Sequence, residues 1–247
     1  MNPTMQRVFA YCGVAFAVVF FLGMLLAGLL PPHLPAAGPD QVATLWYDHP
    51  ERHELGLFLC IIAGGLSGPF AAIISVYLRR IDPTHACSNL QLIGGATGVV
   101  AVLVPIFMFT AAAYRPEGRP NEVLQAINDL AWLPFIGNFP PALMQTLAIA
   151  CAVFGQRDGA PEIFPRWVGY YNLWTAILFL PGGLVIFFHS GPFAWNGIFA
   201  FWLAAVVFGA WFIVMAAVLV KTINATATAD PADGSLAPDH AGRPPRR

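Results

Sequence analysis

The chain has 247 residues, of which 57% are hydrophobic and only 10% charged, and its formal net charge is −1. Soluble domains carry about 25% charged residues, so this composition excludes an ordinary soluble domain and indicates a surface that faces lipid. The near-neutral charge also excludes the strongly basic surface on which nucleic-acid binding depends, and no nucleic-acid partner is expected.

Six apolar runs without a charged side chain follow one another along the chain. Each is long enough to cross a bilayer as a helix, which takes about 20 residues. None shows the strict alternation of a membrane-barrel strand. The predicted fold is therefore all-α, a polytopic bundle of six membrane-spanning helices in contact with membrane lipid. These helices cover residues 8–30, 55–78, 92–114, 131–154, 167–188 and 197–220.

The runs predict one transmembrane domain, residues 1–221, followed by a tail, residues 222–247. The tail has almost no large apolar side chain, and it is predicted to be disordered because it cannot bury enough surface to offset the entropy of ordering. Nine Lys and Arg residues lie on the side of both termini and three on the other side. By the positive-inside rule, both termini and the tail are predicted to be cytoplasmic.

The first external loop ends in a dense polar sequence, Asp48-His49-Pro50-Glu51-Arg52-His53-Glu54. His49 and His53 are four residues apart, so a helix would place both on one face, as in metal-binding pairs. Asp48 and Glu51 would orient them or act as acid and base. The alternative is a solvated loop whose acidic residues lie near the positive N-terminal end of the second helix.

The second external loop, residues 115–130, predicts a short amphipathic helix that lies on the membrane interface. Pro116 and Pro120 delimit it. The apolar face comprises Val123, Leu124, Ile127 and Leu130. The polar face comprises Glu122, Gln125, Asn128 and Asp129.

The fourth membrane run differs from the others because it contains both amide side chains and a double proline. Asn138, Pro141 and Gln145 fall at i, i+3 and i+7, on one helix face. Pro140-Pro141 is predicted to kink the helix. One interpretation is the polar lining of a ligand cavity, with these three residues binding the ligand. The other is hydrogen bonding between helices beside a static kink.

No cofactor is predicted, and no catalytic residue is assigned. A membrane haem needs axial ligands such as two facing histidines, and no apolar run contains a histidine, so haem is disfavoured. The runs also lack the embedded acids and bases that mark proton relays and ion pathways. A metal at the external His49 and His53 cluster is the one remaining cofactor hypothesis.

Close glycines in the second, third and fifth helices predict close helix packing. They are Gly64-Gly65 with Gly68, Gly94-Gly95 with Gly98, and Gly182-Gly183. These surfaces would pack within the bundle, in a homo-oligomer, or against a membrane partner subunit.

Two stretches carry a resemblance, residues 124–135 (LQAINDLAWLPF) and 164–174 (FPRWVGYYNLW). Together with the six-helix layout, they resemble an uncharacterised group of small bacterial inner-membrane proteins. The layout covers nearly the whole chain. The resemblance implies a multi-pass protein of the bacterial inner membrane, and it brings no established activity to any residue.

These patterns leave three functions open. The first is non-enzymatic binding or transport of a small, largely apolar molecule at the kinked fourth helix. The second is a membrane-embedded enzyme with an external His/acid site, with or without a metal. The third is an accessory subunit of a membrane complex that packs through its glycine-rich surfaces.

Overall fold

The computed structural model describes residues 1–156 and 162–229, and these residues form a helical bundle without a β-strand among them. Six spans are long and apolar enough to cross a membrane, which confirms the predicted all-α, multi-pass fold. These membrane crossings are Pro3–Leu26, Pro50–Leu78, Ala86–Tyr114, Asn121–Phe154, Arg166–Phe187 and Ile198–Thr228.

Several crossings contain more than one helical element. The α-helices are α1 (Pro3–Leu26), α2 (Pro39–Tyr47), α3 (Pro50–Leu78), α4 (Ala86–Tyr114), α5 (Asn121–Gly137), α6 (Pro140–Phe154), α7 (Arg166–Phe179) and α8 (Leu203–Ala229). A 3₁₀ segment, Leu180–Phe187, continues α7, and a π-helical turn, Ile198–Trp202, leads into α8. The fourth crossing thus consists of α5 and α6 in succession.

Most helices begin before the charge-free runs because their N-caps lie in polar sequence. The Asn2 side chain caps α1 by accepting the backbone N–H of Met5 at 2.8 Å. Helix α4 begins at Ala86, where the Asp82 carboxylate accepts the backbone N–H of Ser88 at 3.1 Å. The charge-free runs therefore do not mark where most of the helices begin.

Two helix ends differ from prediction for other reasons. Helix α1 stops at Leu26, four residues before the predicted end, and Gly28 then turns the chain with a φ of 67°, which glycine adopts without strain. Helix α8 instead continues to Ala229. Residues 222–229, predicted as the start of a disordered tail, are therefore helical. The rest of the predicted tail, residues 230–247, lies outside the described residues.

The six crossings form a ring in chain order, in which each packs on the next and α8 packs back on α1. Aromatic side chains fill the ring where α1, α3 and α8 meet. The Phe212 ring lies 4.4 Å from that of Phe16 and 5.3 Å from that of Phe70, measured between centroids. Such aromatic pairs contribute about 0.5–1.5 kcal/mol each beyond the area they bury.

Residues 27–49 fold over one end of the bundle, which we call the cap end; the opposite end, with the start of α1 and the end of α8, is the terminal end. Helix α2 within this cap was not predicted, because its nine residues are too few for a clear periodic pattern. It packs on α5. Asn121 joins the two helices, accepting from the Tyr47 hydroxyl at 2.8 Å and donating to Asp40 at 2.7 Å.

The predicted interfacial helix is the first half of α5, and it is continuous with the second half as one part of the fourth crossing. Its predicted faces are wrong in part. Asn128, assigned to the polar face, is fully buried, whereas Val123 and Leu130 of the apolar face are exposed. The reason is tertiary: residues 27–49 cover the side of α5 that the sequence pattern assigned to water.

Candidate functional site

The fourth crossing is interrupted at the position of the predicted kink. Helix α5 ends at Gly137, and Asn138 leaves the helix with φ −84° and ψ 56°. Pro140 and Pro141 take the first two positions of α6, where a missing backbone N–H breaks no intrahelical bond. A broken helix at membrane depth is tolerated where it is buried in protein or lines a cavity.

This interruption lies beside a cavity of about 160 Å³. All six crossings contribute to its wall, which contains no charged side chain. Three lining residues have polar side chains, namely Ser67, Asn138 and Gln145. Ten are phenylalanines, namely Phe16, Phe20, Phe21, Phe70, Phe135, Phe139, Phe179, Phe201, Phe208 and Phe212.

The structure brings the predicted ligand-binding residues together, since Asn138, Pro141 and Gln145 all line the cavity. Within the described residues, neither amide side chain forms a hydrogen bond with another protein group, so they do not join helices as the alternative interpretation required. Ser67, which the sequence did not single out, donates its hydroxyl to the Gly64 carbonyl at 2.7 Å. Its oxygen retains the capacity to accept a hydrogen bond.

Two glycines of α4 bring the fourth crossing close enough for Gln145 to reach the cavity. A Cβ added to Gly95 would lie 3.1 Å from Gln145 Nε2 and 2.7 Å from the Ala71 Cβ. A Cβ added to Gly94 would lie 2.9 Å from the Gln145 backbone nitrogen. The glycine pair therefore sets the distance between α4 and α6, which supports the predicted packing role within the bundle.

Helix α3, the second membrane crossing, has glycines on both its inward and its outward face. Gly64 faces inward, where an added Cβ would lie 2.7 Å from Leu103. Gly65 and Gly68 face outward, with nothing within 4 Å of an added Cβ. These two glycines therefore take no part in packing between the described helices.

Irregular backbone from two further crossings also reaches the cavity. Phe179 and Gly182 lie where α7 changes into the 3₁₀ segment, and both line the wall. Ala200 and Phe201 belong to the π-helical turn before α8 and line it as well. Non-α turns of this kind are frequent at functional sites in membrane and soluble helices.

The residues predicted to bind an external metal lie in two different environments. His49 precedes α3 in a left-handed conformation, with φ 56°, so the four-residue helical spacing on which the pairing depended does not apply. Its side chain is 77% exposed and lies 3.9 Å from Glu51. Asp48 is exposed at the end of α2. Across residues 1–156 and 162–229, no three His, Cys, Asp or Glu side chains converge as a metal site would require.

His53 instead turns into the protein beneath the cap. Its Nδ1–H donates to the Ala27 carbonyl at 2.6 Å, and its ring lies 5.3 Å from that of Trp46. This position makes His53 a packing residue between α1, α2 and α3. No local pattern predicts this position, because the burial of one histidine in a polar run depends on tertiary contacts.

An aromatic plug, made by Trp46, Phe109, Trp132 and Trp195, closes the cap end above the cavity. All four side chains are buried. The Trp132 ring stacks 6.2 Å from Trp195 and lies 5.2 Å from Phe109. On its other side, Trp132 lies 5.8 Å and 6.1 Å from Phe135 and Phe201, which line the cavity.

His33 connects the aromatic plug to the cap through hydrogen bonds. The Trp195 Nε1–H donates to the His33 carbonyl at 3.0 Å, and the His33 Nε2 lies 3.0 Å from the Asn128 amide nitrogen. Burial lowers the pKa of His33 to about 4. The imidazole is therefore neutral at pH 7, and its Nε2 accepts the hydrogen bond from Asn128.

Comparison of the chain with protein-family models, with curated proteins and with solved structures finds no match in any of the three. The resemblance to small six-helix inner-membrane proteins therefore stays a prediction. The geometry of the cavity carries the functional argument.

Proposed function

We propose that the protein binds, or carries across the bilayer, a small neutral molecule that is largely apolar. The site is the central cavity, and the Asn138 and Gln145 amides hydrogen-bond the ligand's polar group. One observation supports this most strongly. Both amides line a wall of phenylalanines, and within the described residues neither has a protein partner, so both are available to hydrogen-bond a ligand in the cavity.

The size and chemistry of the wall restrict the ligand class. An apolar cavity of about 150 Å³ holds a molecule of the size of benzene, and this one has about 160 Å³. A charged ligand would find no counter-charge in the wall, so its desolvation would be uncompensated. The class is therefore a neutral, ring-sized molecule with one or two hydrogen-bonding groups.

The proposal includes the cellular setting. A bacterial inner membrane, with both termini in the cytoplasm, agrees with the excess of Lys and Arg on the side of the termini. In that orientation the aromatic plug lies on the external side.

The test compares two nearly isosteric probes, indole and indene, which differ in having an N–H or a CH₂ in the five-membered ring. Equilibrium dialysis against protein in lipid nanodiscs, with empty nanodiscs subtracted, gives the affinity of each. We expect the wild type to prefer indole by about two- to tenfold, since the one hydrogen bond that its N–H donates contributes about 0.5–1.5 kcal/mol. The double variant Asn138→Leu/Gln145→Leu should lose that preference.

Thr97→Val is the matched control, because it also removes a polar group from a membrane helix. The Thr97 hydroxyl bonds only carbonyls of its own helix, Ile93 at 2.8 Å and Gly94 at 3.2 Å. The control should keep the preference for indole. An equal preference in the wild type and in the double variant would remove Asn138 and Gln145 from the site.

A further inference from the structure

Gln91 of α4 is the most unusual polar side chain in the bundle outside the cavity. It is fully buried, and within the described residues neither its amide oxygen nor its amide nitrogen has a hydrogen-bond partner. A buried amide with two unpaired ends lowers stability unless something else hydrogen-bonds it. Its surroundings therefore indicate what that partner is.

The helical register places Gln91 on the cavity face of α4. Gly95 and Gly98, four and seven residues further on, both line the cavity. Residues at this spacing share one face of a helix. Gln91 therefore lies directly below the cavity, one turn nearer the terminal end of the bundle.

Polar groups continue from Gln91 to the terminal end along the contact of α3 with α4. Ser75, one turn beyond the cavity-lining Ala71, donates its hydroxyl to the Ser88 carbonyl at 3.0 Å. The Ser88 N–H in turn donates to the Asp82 carboxylate at 3.1 Å. We call Gln91, Ser75, Ser88 and Asp82 the polar seam; all four are buried.

Asp82 keeps the outer end of the seam charged. Burial raises its pKa, but hydrogen bonds from the Thr84 hydroxyl and from the backbone N–H groups of Ser88, Cys87 and Thr84 outweigh it, so the pKa lies below its usual range. The carboxylate is therefore ionised at pH 7. The two ends of the bundle thus differ, with the aromatic plug at the cap end and polar groups at the terminal end.

We propose that Gln91 forms an inner subsite for the same ligand, on a route between the cavity and the terminal end. Its amide takes the ligand's hydrogen-bonding group once that group has left Asn138 and Gln145. The plug closes the other end, so the ligand enters and leaves past Gln91. This inference rests on the proposed function, because it assumes that the cavity holds the ligand.

Cysteine accessibility tests the route. In a background where Cys12, Cys60, Cys87 and Cys151 are replaced by Ala, Gln91→Cys is compared with Ile93→Cys, two residues away on the lipid-facing side of the same helix and 54% exposed. A membrane-impermeant thiol reagent is added to vesicles of known orientation. Gln91→Cys should react several-fold faster than Ile93→Cys, only from the terminal side, and more slowly with indole present.

Equal rates for the two cysteines, or reaction of Gln91→Cys from the cap side alone, would overturn the route. These outcomes leave the indole preference of the wild type untouched, so they are distinguishable from failure of the proposed function. If that preference is absent in the wild type, both proposals fail together.

Gln91→Leu provides a second measurement that does not depend on thiol chemistry. Leu is similar in size and removes both unpaired polar atoms, so the unfolding temperature should stay the same or rise. The exchange of indole in nanodiscs should slow several-fold, because the variant removes the amide that the ligand meets on the route. A lower unfolding temperature with unchanged exchange would make Gln91 a purely structural residue and overturn the proposal.

Discussion

The side-chain amide of Gln145 lies against Gly95 of the neighbouring helix, where an added Cβ would come within 3.1 Å of its Nε2. This contact joins two features that the sequence presents separately, the amide in the fourth crossing and the glycine pair in the third. The glycine makes room for the amide at the edge of the cavity. Helix packing and the position of the Gln145 amide are therefore coupled here.

Gly95→Ala should weaken both the packing and the site. The new methyl group would lie 2.7 Å from the Ala71 Cβ, so α3 or α4 must shift, and overpacking of this kind costs about 1–3 kcal/mol. The displaced Gln145 amide should also reduce indole binding. Thermal unfolding and indole dialysis on the same preparation measure the two effects.

Gly65→Ala is the control for that prediction, because it makes the same change on the outward face of α3, where an added Cβ meets nothing within 4 Å. It should change neither stability nor indole binding appreciably. Equal effects of the two substitutions would mean that close packing at Gly95 does not hold Gln145 in place.

The hydrogen bond between Trp211 and Asn172 should be an important contact between α7 and α8. The Trp211 Nε1–H donates to the Asn172 Oδ1 at 2.9 Å, and both side chains are buried. Asn172→Leu leaves the indole N–H unpaired, which costs about 1–3 kcal/mol. Thr175→Val, which removes a hydroxyl bonded only to its own helix, should cost less. Comparable losses in the two variants, measured by thermal unfolding, would contradict this assignment.

Stability should fall with acid in a way that depends on His33. Its pKa is lowered from 6.5 to about 4 in the folded protein. Between these values the unfolded chain binds a proton that the folded protein does not, so stability is lost as the pH falls from 6.5 towards 4. The contribution is at most about 3 kcal/mol, from about 1.4 kcal/mol for each unit of pKa.

His33→Gln keeps a neutral hydrogen-bonding side chain and removes this titration. Unfolding temperatures of wild type and variant across pH 7 to 4 give the contribution as a difference, which cancels the effect of other titrating groups. The unfolding temperature of the variant should rise relative to that of the wild type as the pH falls. A difference independent of pH would show that His33 titrates normally.

His49 and His53 should respond differently to substitution. His53→Ala removes a bond to the Ala27 carbonyl and the contact with Trp46, so it should lower stability by about 1–3 kcal/mol. His49→Ala should have no measurable effect, since the side chain is 77% exposed. Metal analysis of the purified proteins tests the external-metal alternative directly. Stoichiometric metal in the wild type that is lost in both variants would restore it.

The amino-acid sequence alone predicts the features of the fold that depend on local composition. Charge-free runs revealed the six crossings, and the double proline located the interruption of the fourth. The predictions of the crossings and of the interruption succeeded because lipid imposes simple rules on length, charge and backbone hydrogen bonding. Asn138, Pro141 and Gln145 all line the cavity, but not as one helix face, because the helix is interrupted between Asn138 and Pro141.

The features that were missed depend on tertiary contacts. Gln91 stood one residue outside the predicted third helix, and nothing local distinguished it from a polar helix flank. His33 and Asn128 looked like loop and surface residues until the cap folded over α5. Burial of a polar residue depends on what packs over it, and a single sequence does not contain that information.

The most direct test of the central claim is to locate a bound probe. 4-Bromophenol is neutral at pH 7, has one hydroxyl on an apolar ring, and its bromine is visible by anomalous scattering. A structure with this probe should show bromine inside the cavity, with the hydroxyl within hydrogen-bonding distance of Asn138 or Gln145. Bromine found only on lipid-facing or cap-end surfaces, with the cavity unchanged, would contradict the proposed function.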